Sequence, residues 1–211
     1  MGYSKKLIIF GPSTLIKGEM GGFKDILISL GKKKEVQKID REYQKRKFKG
    51  PWGLEKLTRL YRGFSQEKLK QISLDYCREN LIKEARVLME EFKRKGFLIG
   101  AISANPQFLM DILKEILPLD FSEGTKLEFK DGVATGRIQR KVDRYIKSEI
   151  LKRKRKKYKL KEEEVIVIGD LVTDLPMARE AKVFIGFDAK RENADNFYTM
   201  IMTCGQFKDI F

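Results

Sequence analysis

Short apolar runs alternate with amphipathic stretches along most of this chain, and that alternation predicts its architecture. Lys5 to Phe10, K-K-L-I-I-F, reads as a buried strand that Gly11 and Pro12 end. From Gly22 to about Asn80 the period changes. Apolar residues recur at three- and four-residue spacing in F-K-D-I-L-I-S-L-G, E-V-Q-K-I-D-R-E-Y, L-E-K-L-T-R-L-Y-R-G and S-Q-E-K-L-K-Q-I-S-L-D-Y-C, with Gly31, Gly50-Pro51 and Gly63 as breaks. This stretch predicts a helical module without a strand. Beyond it, Ile82 to Lys95 predicts a helix ended by Gly96, Phe97 to Ser103 a second buried strand, and Asn105-Pro106 the start of another helix. Thr125 to Ile138, centred on Asp131-Gly132, predicts a β-hairpin. A helix over 141–157, a strand over Val165–Ile168, a helix over Leu175–Glu180 and a last strand over 183–187 complete the order. Such a βαβ succession predicts an α/β fold with a parallel sheet and right-handed crossovers, the helical module being inserted after the first strand.

Composition narrows the chemistry. With 211 residues, 42% of them hydrophobic, the chain can bury a sizeable core and fold despite its 36% charged residues. It has no histidine, which excludes Ser-His-Asp and Cys-His catalysis and histidine metal sites. Cys77 and Cys204 have no metal-ligand spacing and read as ordinary thiols of a reducing compartment. No apolar run approaches the length of a membrane span, and M-G-Y-S-K-K leads straight into a strand, so a soluble cytoplasmic protein is expected.

The net charge of +15 would draw the protein toward polyanions or phosphorylated substrates. Leu151 to Lys161, L-K-R-K-R-K-K-Y-K-L-K, holds eight basic residues and is followed at once by Glu162, Glu163 and Glu164. It reads either as a nucleic-acid contact or as a solvated helix end. High Lys and Glu with few Asn and Gln also fits a heat-adapted (thermophile) proteome.

Candidate chemistry gathers at the strand ends. Val165 to Met177, V-I-V-I-G-D-L-V-T-D-L-P-M, begins with four β-branched residues that suit a strand buried on both faces. Gly169 then permits a sharp turn, and Asp170 leaves the carboxyl end of the strand, where open α/β sheets bind ligands and where a short carboxylate suits magnesium. Asp174 follows on the next loop or first helical turn. Both aspartates read equally as caps of the next helix. Gly11 and Ser103 lie past the ends of other strands and converge on the same edge, where the Ser103 hydroxyl could donate to a phosphate oxygen or cap a helix.

These residues together resemble the haloacid dehalogenase superfamily, and most closely its phosphoserine-phosphatase-like branch. G-D-L-V-T-D-L-P-M is similar to the family's fourth motif, which implies magnesium binding by Asp170 with Asp174 in support. I-G-A-I-S-A-N-P is similar to the second, which implies phosphate binding by Ser103, with Asn105 beside it. K-S-E-I-L is similar to the third, which implies that Lys147, preferred to Lys141 on its spacing from Asp170, neutralises the nucleophile and phosphate. Glu19 resembles the glutamate that recognises a substrate amino group. The resemblance implies a Rossmannoid core of residues 1–16 and 84–211, with a parallel sheet between helices, and an inserted C1-type helical cap of residues 17–83.

The first motif departs from that pattern. Family members carry two aspartates after the first strand, one as nucleophile and metal ligand and the next as general acid-base. Here K-L-I-I-F-G-P-S-T-L-I places Gly11 and Ser13 at those positions, and shifting the alignment by one residue brings in no carboxylate. Glycine forms no phosphoenzyme, and Ser13 has no histidine to activate it. The cap arginine expected to hold a serine carboxylate is replaced by Leu57, with Arg59 on another helix face. The expectation is therefore a catalytically impaired phosphatase homologue that retains binding of phosphate or of a phosphorylated small molecule, with magnesium weak or absent. The alternatives are an active magnesium-dependent phosphomonoesterase acting on a small phosphorylated metabolite, and a polyanion-binding protein using residues 151–161.

Overall fold

The computed structural model describes residues 6–45, 53–169 and 173–186. Six strands form one sheet: β1 (Leu7–Phe10), β2 (Leu98–Pro106), β3 (Phe121–Lys130), β4 (Val133–Arg140), β5 (Val165–Gly169) and β6 (Val183–Gly186). Their spatial order is β4-β3-β2-β1-β5-β6, parallel throughout except for the β3–β4 hairpin. The α/β class expected from the apolar pattern is thus the class observed. All four β1 residues are buried, and the two-residue period of the strand divides them between faces. Leu7 and Ile9 join an apolar cluster with Ile150 and Leu151, whereas Ile8 and Phe10 join the larger one containing Phe23, Ile26, Leu57 and Met89.

The helices cover both faces accordingly. Helix α7 (Arg144–Lys157) supplies Ile150 and Leu151 to one side. On the other lie α5 (Lys83–Arg94), α6 (Gln107–Ile116) and the helical segment α1 (Gly22–Ser29), α2 (Lys33–Gln44), α3 (Leu54–Arg59) and α4 (Gln66–Asn80). Chain crossings into and out of this segment are tied together. An antiparallel bridge joins Ile16 to Leu81, with Lys17 N–H donating to Asn80 O and Ile82 N–H to Leu15 O, both at 2.9 Å. The far end of the segment is sewn to the hairpin: Gly63 N–H donates to Ala134 O (2.9 Å), Ala134 N–H to Phe64 O (2.9 Å) and Gln66 N–H to Gly132 O (2.8 Å). Tyr61, fully buried, donates its hydroxyl to Phe23 O at 2.8 Å and meets the rings of Phe23 and Phe108 edge-on.

Several boundaries differ from the sequence expectation, each for a local reason. The hairpin turn is Asp131-Gly132 as expected, both with positive φ (50° and 74°), the requirement of a tight two-residue turn. Strand β2 runs past Ser103 to Pro106 because β3 continues to pair with it across a register shift between Ile102 and Pro106. Helix α7 begins at Arg144, not 141, because the Asp143 carboxylate caps it, accepting from Tyr145 N–H (3.0 Å) and Ile146 N–H (3.1 Å). Leu175–Glu180 is a 3₁₀ helix in place of the expected α-helix, with a proline in its first turn.

The basic run is partly consumed by structure. Lys154 binds Glu123 at 2.6 Å and lies 4.5 Å from the Phe121 ring centre, while Arg155 binds Glu162 and Glu180, each at 2.9 Å. Burial pushes the Glu123 carboxyl up, but hydrogen bonds and charge from Lys154 and Arg140 outweigh it and hold that carboxyl below its ordinary range. Lys152, Arg153, Lys156 and Lys157 remain exposed. Among the described residues no helix is long and apolar enough to cross a membrane.

Candidate functional site

Parallel register brings the strand ends level. Phe10 pairs with Ala101 and with Ile168, so Gly11, Ile102 and Gly169 stand side by side where β1 separates β2 from β5. The sheet order reverses about β1, and such a switch point is where α/β sheets open a crevice. A pocket of about 200 Å³ lies there, lined from the sheet side by Ser13, Ser103, Asn105, Arg144, Lys147, Thr173 and Asp174. The helical segment roofs it with Met20, Lys24, Tyr43 and Tyr76. Lysine and arginine outnumber carboxylates on these walls, which suits an anionic guest.

At the floor, Gly11 is buried with its backbone fully engaged. Its N–H donates to Ile168 O (2.7 Å), and its carbonyl accepts from the Thr14 hydroxyl (2.6 Å) and the Thr14 N–H (2.9 Å). A Cβ on Gly11 would lie 2.1 Å from Asp174 Oδ2, and a Cβ on Gly169 would lie 2.5 Å from the same atom. The Asp174 carboxylate therefore rests in a niche that exists because both positions lack side chains. Its other oxygen, Oδ1, is 2.6 Å from Lys147 Nζ, and the two side chains are only 1% and 4% exposed. In so dry a setting the pair is mutually dependent, since either charge alone carries a large desolvation cost.

Ser103 is buried, and its Oγ accepts from Asn105 N–H at 3.0 Å. Asn105 in turn accepts Phe23 N–H at 3.0 Å, fixing the start of α1 over the strand end. On the roof, Asp25 accepts from Met20 N–H (2.9 Å) and the Tyr76 hydroxyl (3.0 Å), and Lys24 pairs with Asp40 and lies 5.4 Å from the Tyr43 ring centre.

The structure therefore brings together Ser13, Ser103, Asn105, Lys147 and Asp174, with Gly11 directly beneath Asp174. It does not bring in Glu19, which is exposed and outside the pocket lining. The buried carboxylate of the roof itself is Asp25, which accepts from the Tyr76 hydroxyl and does not line the pocket. Asp170 lies outside the described residues. Leu57 is fully buried in the core, and Arg59 is exposed beside Gly136. Lys24, Tyr43, Tyr76 and Arg144 escaped the sequence reading. Only Lys24 left a trace there, as one of two charges inside the buried run Gly22–Leu27.

Burial pushes the Cys77 thiol up to about 12 from 9.0, and burial followed by the Asp25 charge raises the Tyr76 hydroxyl above its ordinary value. The unfolded chain thus releases these protons at lower pH than the folded one, so stability is intact below pH 9 and falls as pH climbs toward 12. Urea unfolding at pH 8, 9.5 and 11 should show losses on the order of 1 kcal/mol per pH unit for each group titrating. Tyr76→Phe should flatten the part of that fall above about pH 10. A midpoint independent of pH across this range would contradict the assignment.

A magnesium site needs anionic oxygens with room around the ion. One oxygen of Asp174 is already held by an ammonium and the other is wedged between two glycine backbones, while Gly11 contributes no ligand atom from a side chain. Among the described residues no three acidic or thiol side chains gather to hold a metal; Asp170, the other carboxylate expected at this strand end, lies outside them.

A mostly parallel sheet, an inserted helical roof and a lysine and a serine converging past the strand ends define an α/β protein with a polar pocket at its switch point. The chain belongs to the haloacid dehalogenase-like hydrolase family, whose sequence pattern matches residues 14–179. It is 31% identical over 188 residues to a phosphoserine phosphatase of Archaeoglobus fulgidus, covering 88% of this chain and 53% of that one, so it spans about half the length of that relative. It is 30% identical to the phosphoserine phosphatase of Methanocaldococcus jannaschii, covering 90% of both. Among solved structures, a phospho-aspartyl intermediate analogue of phosphoserine phosphatase superposes with a TM-score of 0.73 at 28% identity over 88% of each chain. A substrate-bound phosphoserine phosphatase complex superposes with a TM-score of 0.74 at 28% identity, over 90% and 89%.

Proposed function

We propose that this protein is a phosphoserine-phosphatase-like family member whose catalysis is impaired and whose pocket still binds phosphate or a small phosphorylated molecule, with magnesium bound weakly or not at all. The observation that carries this reading is the Asp174 carboxylate lying where a side chain on Gly11 would branch into the pocket. Phosphoryl transfer through an enzyme intermediate needs an acceptor atom at the floor, and glycine offers none. Ser13 lines the pocket, but a chain without histidine gives its hydroxyl no imidazole base. The anion-binding half of the machinery is better supported. Lys147, Arg144 and Lys24 line the walls and Ser103 stands at the strand end. Residues 17–83 act in this reading as a cap over the core formed by 1–16 and 84–211.

The test is hydrolysis of phosphoserine and a panel of small phosphomonoesters with magnesium, alongside calorimetric titration of inorganic phosphate into the same preparation. Phosphate should bind while ester turnover stays at the buffer rate. Robust turnover that disappears on Asp170→Asn would overturn the impaired reading.

A further inference from the structure

We infer that Asp174 is the resident anion of the pocket: its carboxylate occupies Lys147, so an incoming phosphate must compete with it. The inference rests on reading the pocket as an anion site, and it adds what sets the affinity of that site. Three observations converge on it. Lys147 and Asp174 are in contact at 2.6 Å and almost completely buried, so the pair screens little into water. Lys147 also lines the pocket beside Ser103 and Arg144, so the cation Asp174 neutralises is one that a ligand would use. The carboxylate owes its position to the bare backbone of Gly11 and Gly169, where Cβ atoms would fall 2.1 and 2.5 Å from Oδ2. The missing floor side chain and the internal counter-ion are therefore one arrangement.

The expected behaviour is opposite to that of a carboxylate supporting a metal-assisted phosphate site. There, neutralising Asp174 would weaken the ligand. Here, a phosphate bringing up to two negative charges meets Lys147 already paired and a like charge beside it, and neutralising that charge strengthens binding. The ligand class follows as a compact phosphate or phosphomonoester group, small enough for a pocket of about 200 Å³ and anionic enough to draw Lys147 from a carboxylate.

The probe is inorganic phosphate, titrated calorimetrically in EDTA. Asp174→Asn should bind it tighter than the parent protein by about tenfold or more, the scale of one like-charge contact in a partly dry site. Gly11→Ala, which expels the carboxylate without removing it, should shift affinity in the same direction. Adding Lys147→Met to Asp174→Asn should erase the gain. Equal affinity within about twofold, or weaker binding, in a folded Asp174→Asn protein overturns the inference, as does absence of phosphate binding in every variant. If Asp174→Asn does not fold alone, recovery of its cooperative unfolding on adding phosphate supports the inference and no recovery overturns it. Ester turnover by the parent protein would refute impaired catalysis and leave this competition standing, so the two readings fail separately.

Discussion

Gly11→Asp should leave the protein without phosphatase activity and should destabilise it by about 3 kcal/mol or more. Placing a carboxylate at Gly11 by one substitution puts it where the Asp174 carboxylate already lies. The new Cβ would fall 2.1 Å from Asp174 Oδ2 and its carboxylate would lie against the one already there. Overpacking a rigid site costs about 1–3 kcal/mol, and two buried carboxylates sharing one lysine add repulsion that drives a proton onto one of them. A half-neutralised pair is neither a good nucleophile nor a good ion-pair partner. Urea unfolding and an ester assay on the same preparation measure both consequences. A variant as stable as its parent that hydrolyses phosphomonoesters would show that Asp174 yields its niche freely.

Lys147→Ala should be the most damaging change of one charge in the pocket, at about 3–5 kcal/mol, or roughly 6–20 °C in melting temperature for a chain of this size. It removes the 2.6 Å cationic partner of an Asp174 carboxylate that is 1% exposed. Lys147→Met with Asp174→Asn should recover part of the loss, because an imperfectly bonded amide costs less to bury than a lone charge. Arg86 and Glu90 supply the control: their 2.9 Å pair is 66% and 51% exposed, and Arg86→Ala should move stability by less than about 0.5 kcal/mol. Equal effects at Lys147 and Arg86 would mean that burial does not govern the pocket pair.

Local pattern revealed the parts of the fold that depend on local pattern. Strands β1 and β5 are apolar on both faces in sequence and buried on both faces in space, and Asp131-Gly132 marks its turn because few dipeptides accept two positive φ values. The extension of β2 to Pro106 was hidden because it depends on pairing with β3, a partner remote in sequence when β2 is read. The site divides the same way. Ser103, Lys147 and Asp174 were found from strand ends and motif spacing, yet the niche that holds Asp174 needs Gly11 and Gly169 on adjacent strands at one level. Lys24, Tyr43 and Tyr76 were invisible because helical periodicity separates inside from outside and does not separate a core side from a pocket side. Glu19 shows the converse: its position near the first motif singles it out, and it lies exposed, outside the pocket lining.

The seam between residues 63–66 and the β3–β4 hairpin holds the helical roof to the core. With backbone bonds at that seam and a second tie at Ile16 and Leu81, the helical roof is fastened at both ends. For such a roof to swing clear of the pocket it has to give up a row of backbone bonds. Any opening of the roof away from the hairpin would break those bonds, and hydrogen exchange at Gly63, Gln66 and Ala134 is where it would be read.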